Sequence, residues 1–436
     1  MGHTVIKIQK YQIPKDYYLF ILATILLVIE MLPIINIMPP LIISAVKLFT
    51  IVLFFVSFLF YNSTLFIVTI VLMFFSCVIN IIAYYHCYKY YSSFVSFMIK
   101  SSSCWAYMMI GLFLYKYCSD QVKVRIKALT LLLVVITVIT SVISLKSTPT
   151  ALRELGNGSL NIKGMERSLY RRNTATFGIA YGYVFLLPYF IALVREKKNV
   201  KYLLVVALIE FCIIKSQITT AIIFSLCFLL FLIIKPPSFK KFLIVFLIVL
   251  AFFGIISQMI QPLVELIYRI VQESDNAILK LRVSQIYMLV SSHNLAGTGT
   301  IEGRFDLYFK SIETFIKYPF LGYKITSEVD LLSMGMHSQI FDLAASTGVT
   351  GLFLLLICFS IIVRYSSTFL SGLIKRYWCY SVLFLVLLNF INPTYYSSPI
   401  YLCVFWGPCL LPNEKRESIL FRNFHLDNSF VVRKSL

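Results

Sequence analysis

The most constraining feature of this sequence is a series of apolar runs that recurs from one end of the chain to the other. Runs of 18 or more mostly apolar residues are long enough to cross a bilayer core of ~30 Å as a helix. Of the 436 residues, 59% are hydrophobic and 13% are charged, and the mean hydropathy is +0.85. A soluble core of this length cannot bury so much apolar surface. The sequence therefore predicts an all-α integral membrane protein, with residues 1–436 forming one polytopic domain without a long-period repeat.

The apolar runs predict about twelve transmembrane helices. They lie near 17–38, 40–61, 64–85, 94–117, 127–146, 174–194, 201–215, 217–234, 241–260, 338–364, 376–392 and 397–411. The first run follows three lysines without a small-residue cleavage site, so we expect a retained anchor.

Clusters of Lys and Arg predict the orientation of these helices. They follow the fourth, sixth, eighth, tenth and twelfth segments, for example "REKKNVK" and "KPPSFKK". Under the positive-inside rule, all of these loops are cytoplasmic, and so are both termini, including the tail at 412–436. The net charge of +20 is partly this topology signal and does not require nucleic acid as a partner.

Two long polar segments then fall on the outer side of the membrane. Residues 146–173 form a basic outer loop, and residues 261–337 form the longest polar stretch of the chain. The second segment has helical periodicity in "LVELIYRIVQESDNAILKLRVSQIYMLV" and "GRFDLYFKSIETFIKYPF". Both stretches predict amphipathic helices lying at the outer membrane–water interface.

The first outer loop carries Arg167, Arg171 and Arg172 just before the sixth helix. Outward basic residues oppose the positive-inside preference, and arginine suits planar, bidentate phosphate binding. One interpretation is that the cluster holds a lipid pyrophosphate headgroup. The alternative is a solvated loop whose charges contact lipid phosphates unspecifically.

His337 lies at the junction between the second outer loop and the tenth helix. The small residues Ala344 and Gly348 follow it and predict a close helix-packing step. An imidazole facing protein here can act as a general base or a hydrogen-bond donor. The alternative is a helix N-terminal residue that is only hydrogen-bonded to the loop.

The stretches "GRFDLYFKSIETFIKYPFLGYK" and "MHSQIFDLAASTGVTGLFLLL" together resemble the outer-loop signature of the O-antigen polymerase and O-antigen ligase superfamily. In that pattern an Arg opens an amphipathic segment ending in Pro-x-x-Gly, and a His opens a helix containing Gly-x-x-Gly. The earlier "MERSLYRRNTATFGIAYGY" resembles the first outer-loop arginine of the family. The matching positions are Arg304, Pro319 to Gly322, His337, Gly348 to Gly351, Arg167 and Asn173.

The resemblance implies a C-type, integral-membrane glycosyltransferase in the bacterial cytoplasmic (inner) membrane. Its substrates would be oligosaccharides on undecaprenyl pyrophosphate, used at the outer face. Arg304 and His337 would be the catalytic residues, with Arg167, Arg172 and Arg171 binding the pyrophosphate. Fixed cations stabilise the developing charge on such a leaving group. The outer loops contain no Asp-x-Asp motif, so we expect no metal and no other cofactor.

Within this family the 38 Phe and 28 Tyr favour a polymerase over a ligase. Membrane lipids, a chain-length regulator and a flippase are the expected partners. A lipid-linked oligosaccharide flippase is the alternative from another class, with about twelve helices but short loops and charges lining a central cavity. Charges within the predicted helices are few here: Glu30, Lys47, Lys100 and Glu210. Because an isolated charge in the membrane is costly, we predict that Glu30 and Lys47 pair or point into protein.

Overall fold

The computed structural model describes residues 16–87, 94–147, 177–197, 200–216, 218–233, 264–273, 279–280, 283–284, 287, 300–323, 338–370, 372–392, 394 and 397–411. Regular structure in this part of the chain is helical, with no strand among these residues. The α-helices are α1 (Tyr17–Met31), α2 (Pro40–Tyr61), α3 (Ser63–Cys87), α4 (Phe94–Tyr117), α5 (Asp120–Ser147), α6 (Phe177–Lys197), α7 (Val200–Ser216), α8 (Thr219–Ile233), α9 (Thr300–Lys317), α10 (Gln339–Phe369), α11 (Gly372–Ile391) and α12 (Ser398–Trp406). A short helix also covers 264–272.

The predicted helices agree with these elements over most of the chain. Every predicted segment except 241–260 overlaps one of the helices, and 241–260 lies outside the described residues. Among the described residues, six stretches are long and apolar enough to cross a membrane: Leu41–Tyr61, Thr64–Ala83, Asp120–Ser144, Phe177–Arg195, Gln339–Phe369 and Gly372–Ile391. Three further helices are apolar but shorter: Tyr17–Met31, Thr220–Leu232 and Ser398–Leu410. The chain therefore folds as an all-α, multi-pass membrane protein.

The last helix, α12, occupies the centre of the bundle rather than its lipid-facing surface. Eight of its nine residues are buried, and a 3-10 turn, Gly407–Leu410, continues it. It lies against α4 and α6, where glycines permit close approach. A Cβ on Gly111 would overlap the main chain of Phe405, and one on Gly182 would lie 3.3 Å from the carbonyl oxygen of Pro399. The helix is shorter than the predicted 397–411 span, since nine residues rise only about 14 Å.

Hydrogen bonds mark the two ends of the helical bundle. At one end, which we call the lower end, the main-chain amide of Ser119 donates to the Asp16 carboxylate, and the side-chain amide of Asn62 donates to the hydroxyl of Tyr117. At the opposite, upper end, α1 finishes and α12 begins, joined by a 2.7 Å hydrogen bond from Ser398 to Glu30. The amphipathic helix α9 also lies at the upper end, against α10.

The described residues of α9 lie on distinct buried, apolar and charged faces, as in a helix at a membrane interface. Ser311 and Thr314 are buried against the bundle, whereas the apolar side chains of Phe309 and Ile316 are exposed. Charged residues such as Glu313 occupy a further exposed strip. The prediction of an amphipathic helix in this segment is confirmed.

Candidate functional site

Helix α10 is broken near its upper end, at Gly348. This residue has φ 64° and ψ −161°, so the helical hydrogen-bond pattern is interrupted there. The two amides that follow the break bond to the turn after α9: Val349 donates to the Pro319 carbonyl at 2.7 Å, and Thr350 to the Phe320 carbonyl at 3.3 Å. The Thr350 hydroxyl donates to the same Phe320 carbonyl at 2.8 Å. The break thus serves as a docking point for the turn at 319–322.

Glycine is required on both sides of this contact. Gly322 has φ +83°, and a Cβ there would overlap the carbonyl group of Ser346. A Cβ on Gly348 would overlap the Phe320 carbonyl and lie 2.7 Å from the Pro319 carbonyl oxygen. Two main chains therefore meet without intervening side chains, in backbone conformations that favour glycine. We predicted that Gly348 packs closely against a second helix. This prediction is wrong, because the turn at 319–322 occupies that space.

The docked turn holds α9 across the beginning of α10. The Ser311 hydroxyl donates to Oδ1 of Asp342 at 2.7 Å, and the Tyr308 hydroxyl donates to the Ile391 carbonyl at 2.7 Å. The second oxygen of Asp342 accepts the amide of Ser338 at 3.0 Å. Asp342 therefore links α9 to the residue that caps α10.

A second set of polar side chains lies behind Ser338, at the end of α11. The Ser338 hydroxyl caps α10 by accepting the Phe341 amide at 3.2 Å, and it lies 3.4 Å from the Asn389 carbonyl. The side-chain oxygen of Asn389 accepts the hydroxyls of Thr394 at 2.5 Å and Tyr401 at 3.4 Å. We call Ser311, Ser338, Asp342, Asn389 and Thr394 the upper polar cluster. It connects the ends of α9, α10 and α11 with α12.

A buried ion pair lies on the other side of α12. Lys47 of α2 pairs with Glu30 of α1, and their side chains are 15% and 5% exposed. Tyr107 of α4 donates to Oε1 of Glu30 at 2.7 Å, and Ser398 of α12 donates to Oε2 at 2.7 Å. The prediction that Glu30 and Lys47 pair inside protein is confirmed.

The polar groups of this ion pair are satisfied, as burial in a membrane demands. Both oxygens of the Glu30 carboxylate accept hydrogen bonds. The Lys47 ammonium also donates to the Ser398 hydroxyl at 3.2 Å, and it lies 5.4 Å from the centre of the Tyr107 ring. Four helices therefore converge on one neutralised pair, which fixes the start of α12.

The predicted catalytic and binding residues fall mostly outside the described part of the chain. Arg304 lies in α9, four residues before Tyr308 and seven before Ser311. The side chain of Arg304 is outside the described residues. His337, which directly precedes Ser338 in the chain, is also outside them, as are Arg167, Arg171 and Arg172. The roles that the resemblance implies for these residues stay predictions.

Sequence reasoning did not select several residues that the fold brings together. Asp342, Asn389, Tyr107 and Ser398 each bridge two or more helices. A usable signal was present for two of them. Asp342 follows a Ser N-cap by four residues, and Asn389 opens the polar run "NFINPTYYSS" after an apolar stretch. Ser398 is the last residue of that run, but nothing singles it out, and Tyr107 carried no signal, because the role of both depends on the position of Glu30.

The geometry defines a membrane-embedded helical bundle with hydroxyl, amide and carboxylate groups gathered at one end. Such groups can bind sugar hydroxyls through hydrogen bonds. Among the described residues, no three His, Cys, Asp or Glu side chains are grouped so as to hold a metal ion. No family model and no curated protein matches the chain.

Proposed function

We propose that this protein is a surface-polysaccharide polymerase of the O-antigen type. It would transfer a glycan from undecaprenyl pyrophosphate onto the next lipid-linked repeat unit at the outer face of the bacterial cytoplasmic membrane. In this proposal the upper end of the bundle is the outer end, the bundle has about twelve spans, and both termini are cytoplasmic.

One observation carries the proposal: the turn at 319–322 is docked on the break at Gly348. These two stretches are the Pro-x-x-Gly and Gly-x-x-Gly parts of the motif that resembles the polymerase and ligase superfamily. They are separated in sequence, yet main-chain hydrogen bonds join them directly. A motif with two parts in mutual contact is expected when both belong to one site.

The contact between the turn at 319–322 and Gly348 also supports the proposed glycosyl transfer. It holds α9, which contains Arg304, against the first turn of α10, which His337 precedes in the chain. In the proposed reaction the hydroxyl oxygen of the acceptor sugar attacks the anomeric carbon of the donor, and the bond to the pyrophosphate oxygen breaks. His337 would take the proton of that hydroxyl, and Arg304 would stabilise the negative charge on the departing pyrophosphate.

The ligase and flippase alternatives predict different products. A ligase would transfer a finished glycan to lipid A core, and a flippase would carry out no transfer. The Glu30–Lys47 pair does not favour a flippase, because both charges are already neutralised by each other and by Tyr107 and Ser398. A cavity that carries a charged substrate needs charges that remain free to engage it.

The test is deletion of the gene in its native bacterium, followed by gel analysis of the surface polysaccharide. Loss of a polymerase leaves a single repeat unit on core, and the intact gene restores the ladder. Bare core after deletion would contradict the proposal and indicate a ligase or a flippase. An unchanged ladder would exclude all three.

A second measurement distinguishes a polymerase, which transfers glycan, from a flippase, which only transports it. The purified full-length protein is placed in detergent with lipid-linked repeat units as the only glycan. A polymerase lengthens them in the absence of any membrane barrier. A flippase leaves them at their starting length, which would overturn the proposal.

A further inference from the structure

A second buried acidic residue, Glu210, lies in the middle of α7 in a setting unlike that of Glu30. The residue is 9% exposed. Its Oε1 atom lies 2.9 Å from the hydroxyl oxygen of Ser225, a fully buried residue of α8. Its other oxygen, Oε2, is buried and has no hydrogen-bond partner in the described structure. An ionised carboxylate with one hydrogen bond and one oxygen without a partner is energetically costly to bury in an apolar interior.

The Ser225 hydroxyl has two possible acceptors, so the position of its one proton bears on the protonation state of Glu210. The Ser225 hydroxyl oxygen lies 2.9 Å from the Ile222 carbonyl and 2.9 Å from Glu210 Oε1. A hydroxyl has one proton to donate, and a carbonyl can only accept. If Ser225 donates to Ile222, the proton between Ser225 and Glu210 must come from Glu210. The carboxyl group then donates to Ser225 and is neutral, which leaves Oε2 as an unpaired carbonyl-type oxygen rather than half of a bare charge.

Glu30 provides the contrast within the same chain. It has a lysine partner and a hydroxyl donor on each oxygen, which suits an ionised carboxylate. For Glu210, no ion pair is found among the described residues. The two acidic residues therefore differ in the donors that surround them more than in their burial.

The charged groups on the helices around Glu210 are engaged elsewhere. On α5, Lys127 lies 4.7 Å from the ring of Tyr202, and on α6, Arg195 donates to the Phe231 carbonyl at 2.6 Å. Tyr202 is eight residues before Glu210, which is about 12 Å along the helix. On α7 itself, Lys215 lies 5.6 Å from the ring of Phe211.

The remaining titratable groups near the middle of these helices are weak acids. They are Tyr183 on α6, Cys212 on α7 and Cys227 on α8. Tyrosine and cysteine are neutral at pH 7 in their ordinary state, so they supply no cation to hold Glu210 in its ionised form.

We infer that Glu210 is a membrane-embedded carboxylic acid that keeps its proton at neutral pH, and that it forms a proton-binding site reactive toward hydrophobic carbodiimides. The reaction needs the acid form. The carboxyl proton moves to a carbodiimide nitrogen, the carboxylate oxygen bonds to the central carbon, and the resulting O-acylisourea rearranges by acyl transfer to a stable N-acylurea. No other reactant is required.

The test uses the full-length protein in lipid vesicles, treated with dicyclohexylcarbodiimide at pH 7 and analysed by peptide mass spectrometry. An ordinary glutamate is protonated in only about 0.2% of molecules at that pH. We expect the adduct on the Glu210 peptide to exceed that on the Glu30 peptide by at least tenfold, and the Glu210→Gln protein to lack it. Equal labelling of the two peptides, or labelling of Glu30 alone, would overturn the inference.

A stability measurement tests the same inference without relying on reagent access. Glutamine resembles the neutral acid in shape and can donate to Ser225 in the same way. If Glu210 keeps its proton in the folded protein, folding takes up a proton there at neutral pH, because a glutamate in the unfolded chain is ionised. The thermal midpoint of the native protein should therefore fall from pH 6 to pH 8, and Glu210→Gln should raise the midpoint and remove that part of the fall. A difference between the two proteins that is the same at pH 6 and pH 8 would indicate an ionised Glu210 and would contradict the proposal. Ser225→Ala provides the matched control, because it keeps the acid and should lower the midpoint while retaining the fall with pH.

Discussion

The amide nitrogen of Val349 lies 2.7 Å from the carbonyl oxygen of Pro319, so the first residue after the break in α10 is bonded to the turn that follows α9. This contact is made by main-chain atoms, and the same turn accepts Thr350 through two further hydrogen bonds. The position of α9 over the bundle therefore depends on backbone geometry at two glycines. Side-chain substitutions elsewhere in the turn should matter less than changes at those glycines.

Gly348→Ala tests the docking contact. A Cβ at this position would overlap the Phe320 carbonyl, and alanine would also have to adopt a φ of +64°. Strain of this kind costs about 1–3 kcal/mol before any clash is counted. We expect a clearly lower thermal midpoint for the detergent-purified protein. Val349→Ala, at an exposed neighbouring position, should have little effect. A Gly348→Ala protein as stable as the native one would show that the turn does not dock there.

Removal of one partner from the Glu30–Lys47 pair should be strongly destabilising. Lys47→Met leaves the Glu30 carboxylate buried with hydroxyl donors but no cation, and breaking a buried pair in this way typically costs about 3–5 kcal/mol. Replacing both residues, as Glu30→Gln with Lys47→Met, should cost less than Lys47→Met alone. Thermal unfolding of the native protein and of these two purified variants measures this.

The exposed pair of Glu313 and Lys317 on α9 is the matched control for that cycle. Its two charged groups lie 2.7 Å apart, and the hydrogen bond from Lys317 lowers the pKa of the Glu313 carboxyl. Because both groups are fully exposed, water and salt screen the attraction. Lys317→Ala should leave the midpoint unchanged. Equal effects at the two pairs would refute the role given to burial.

Asn389 organises the upper polar cluster by accepting two hydroxyl donors. Asn389→Leu would leave the hydroxyls of Thr394 and Tyr401 without this acceptor in a buried place. Each unsatisfied buried group costs about 1–3 kcal/mol. Thr394→Val removes only one donor and leaves Tyr401 on Asn389, so it should destabilise less. The reverse order of the two variants in thermal unfolding would contradict this account.

The proposed chemistry predicts the effect of variants in the two motif residues. His337→Ala and Arg304→Ala should each reduce polymer formation by a factor of ~10²–10³, the typical loss of one pre-organised contact at a transition state. Arg304→Lys should also fail largely, because lysine lacks the planar fork. Lys310→Ala, at an exposed position of the same helix, should support normal polymer. Polysaccharide gels and immunoblots of the complemented deletion strain provide both activity and protein level. Normal polymer from His337→Ala would remove that residue from the proposed site.

Helix positions were predictable because hydrophobic burial in a membrane depends on run length and composition. The predicted start of the second helix at residue 40 coincides with α2, which begins at Pro40. The pairing of Glu30 with Lys47 was predictable for a similar reason, since the cost of an isolated charge in lipid is independent of the details of packing. The burial of α12 was not predictable, because an apolar helix has the same composition whether lipid or protein surrounds it.

The sequence by itself determined that this chain is a multi-pass helical membrane protein. It also determined that Glu30 and Lys47 must be paired or buried in protein. Both conclusions follow from the free energy of moving groups between water and hydrocarbon. Only the tertiary structure decided that Gly348 accepts a turn instead of a helix, that Asp342 and Asn389 join four helices at one end, and that Glu210 faces a single hydroxyl. Those outcomes depend on directional hydrogen bonds and on steric fit between segments far apart in the chain. Neither can be deduced from the residues until the segments are brought together.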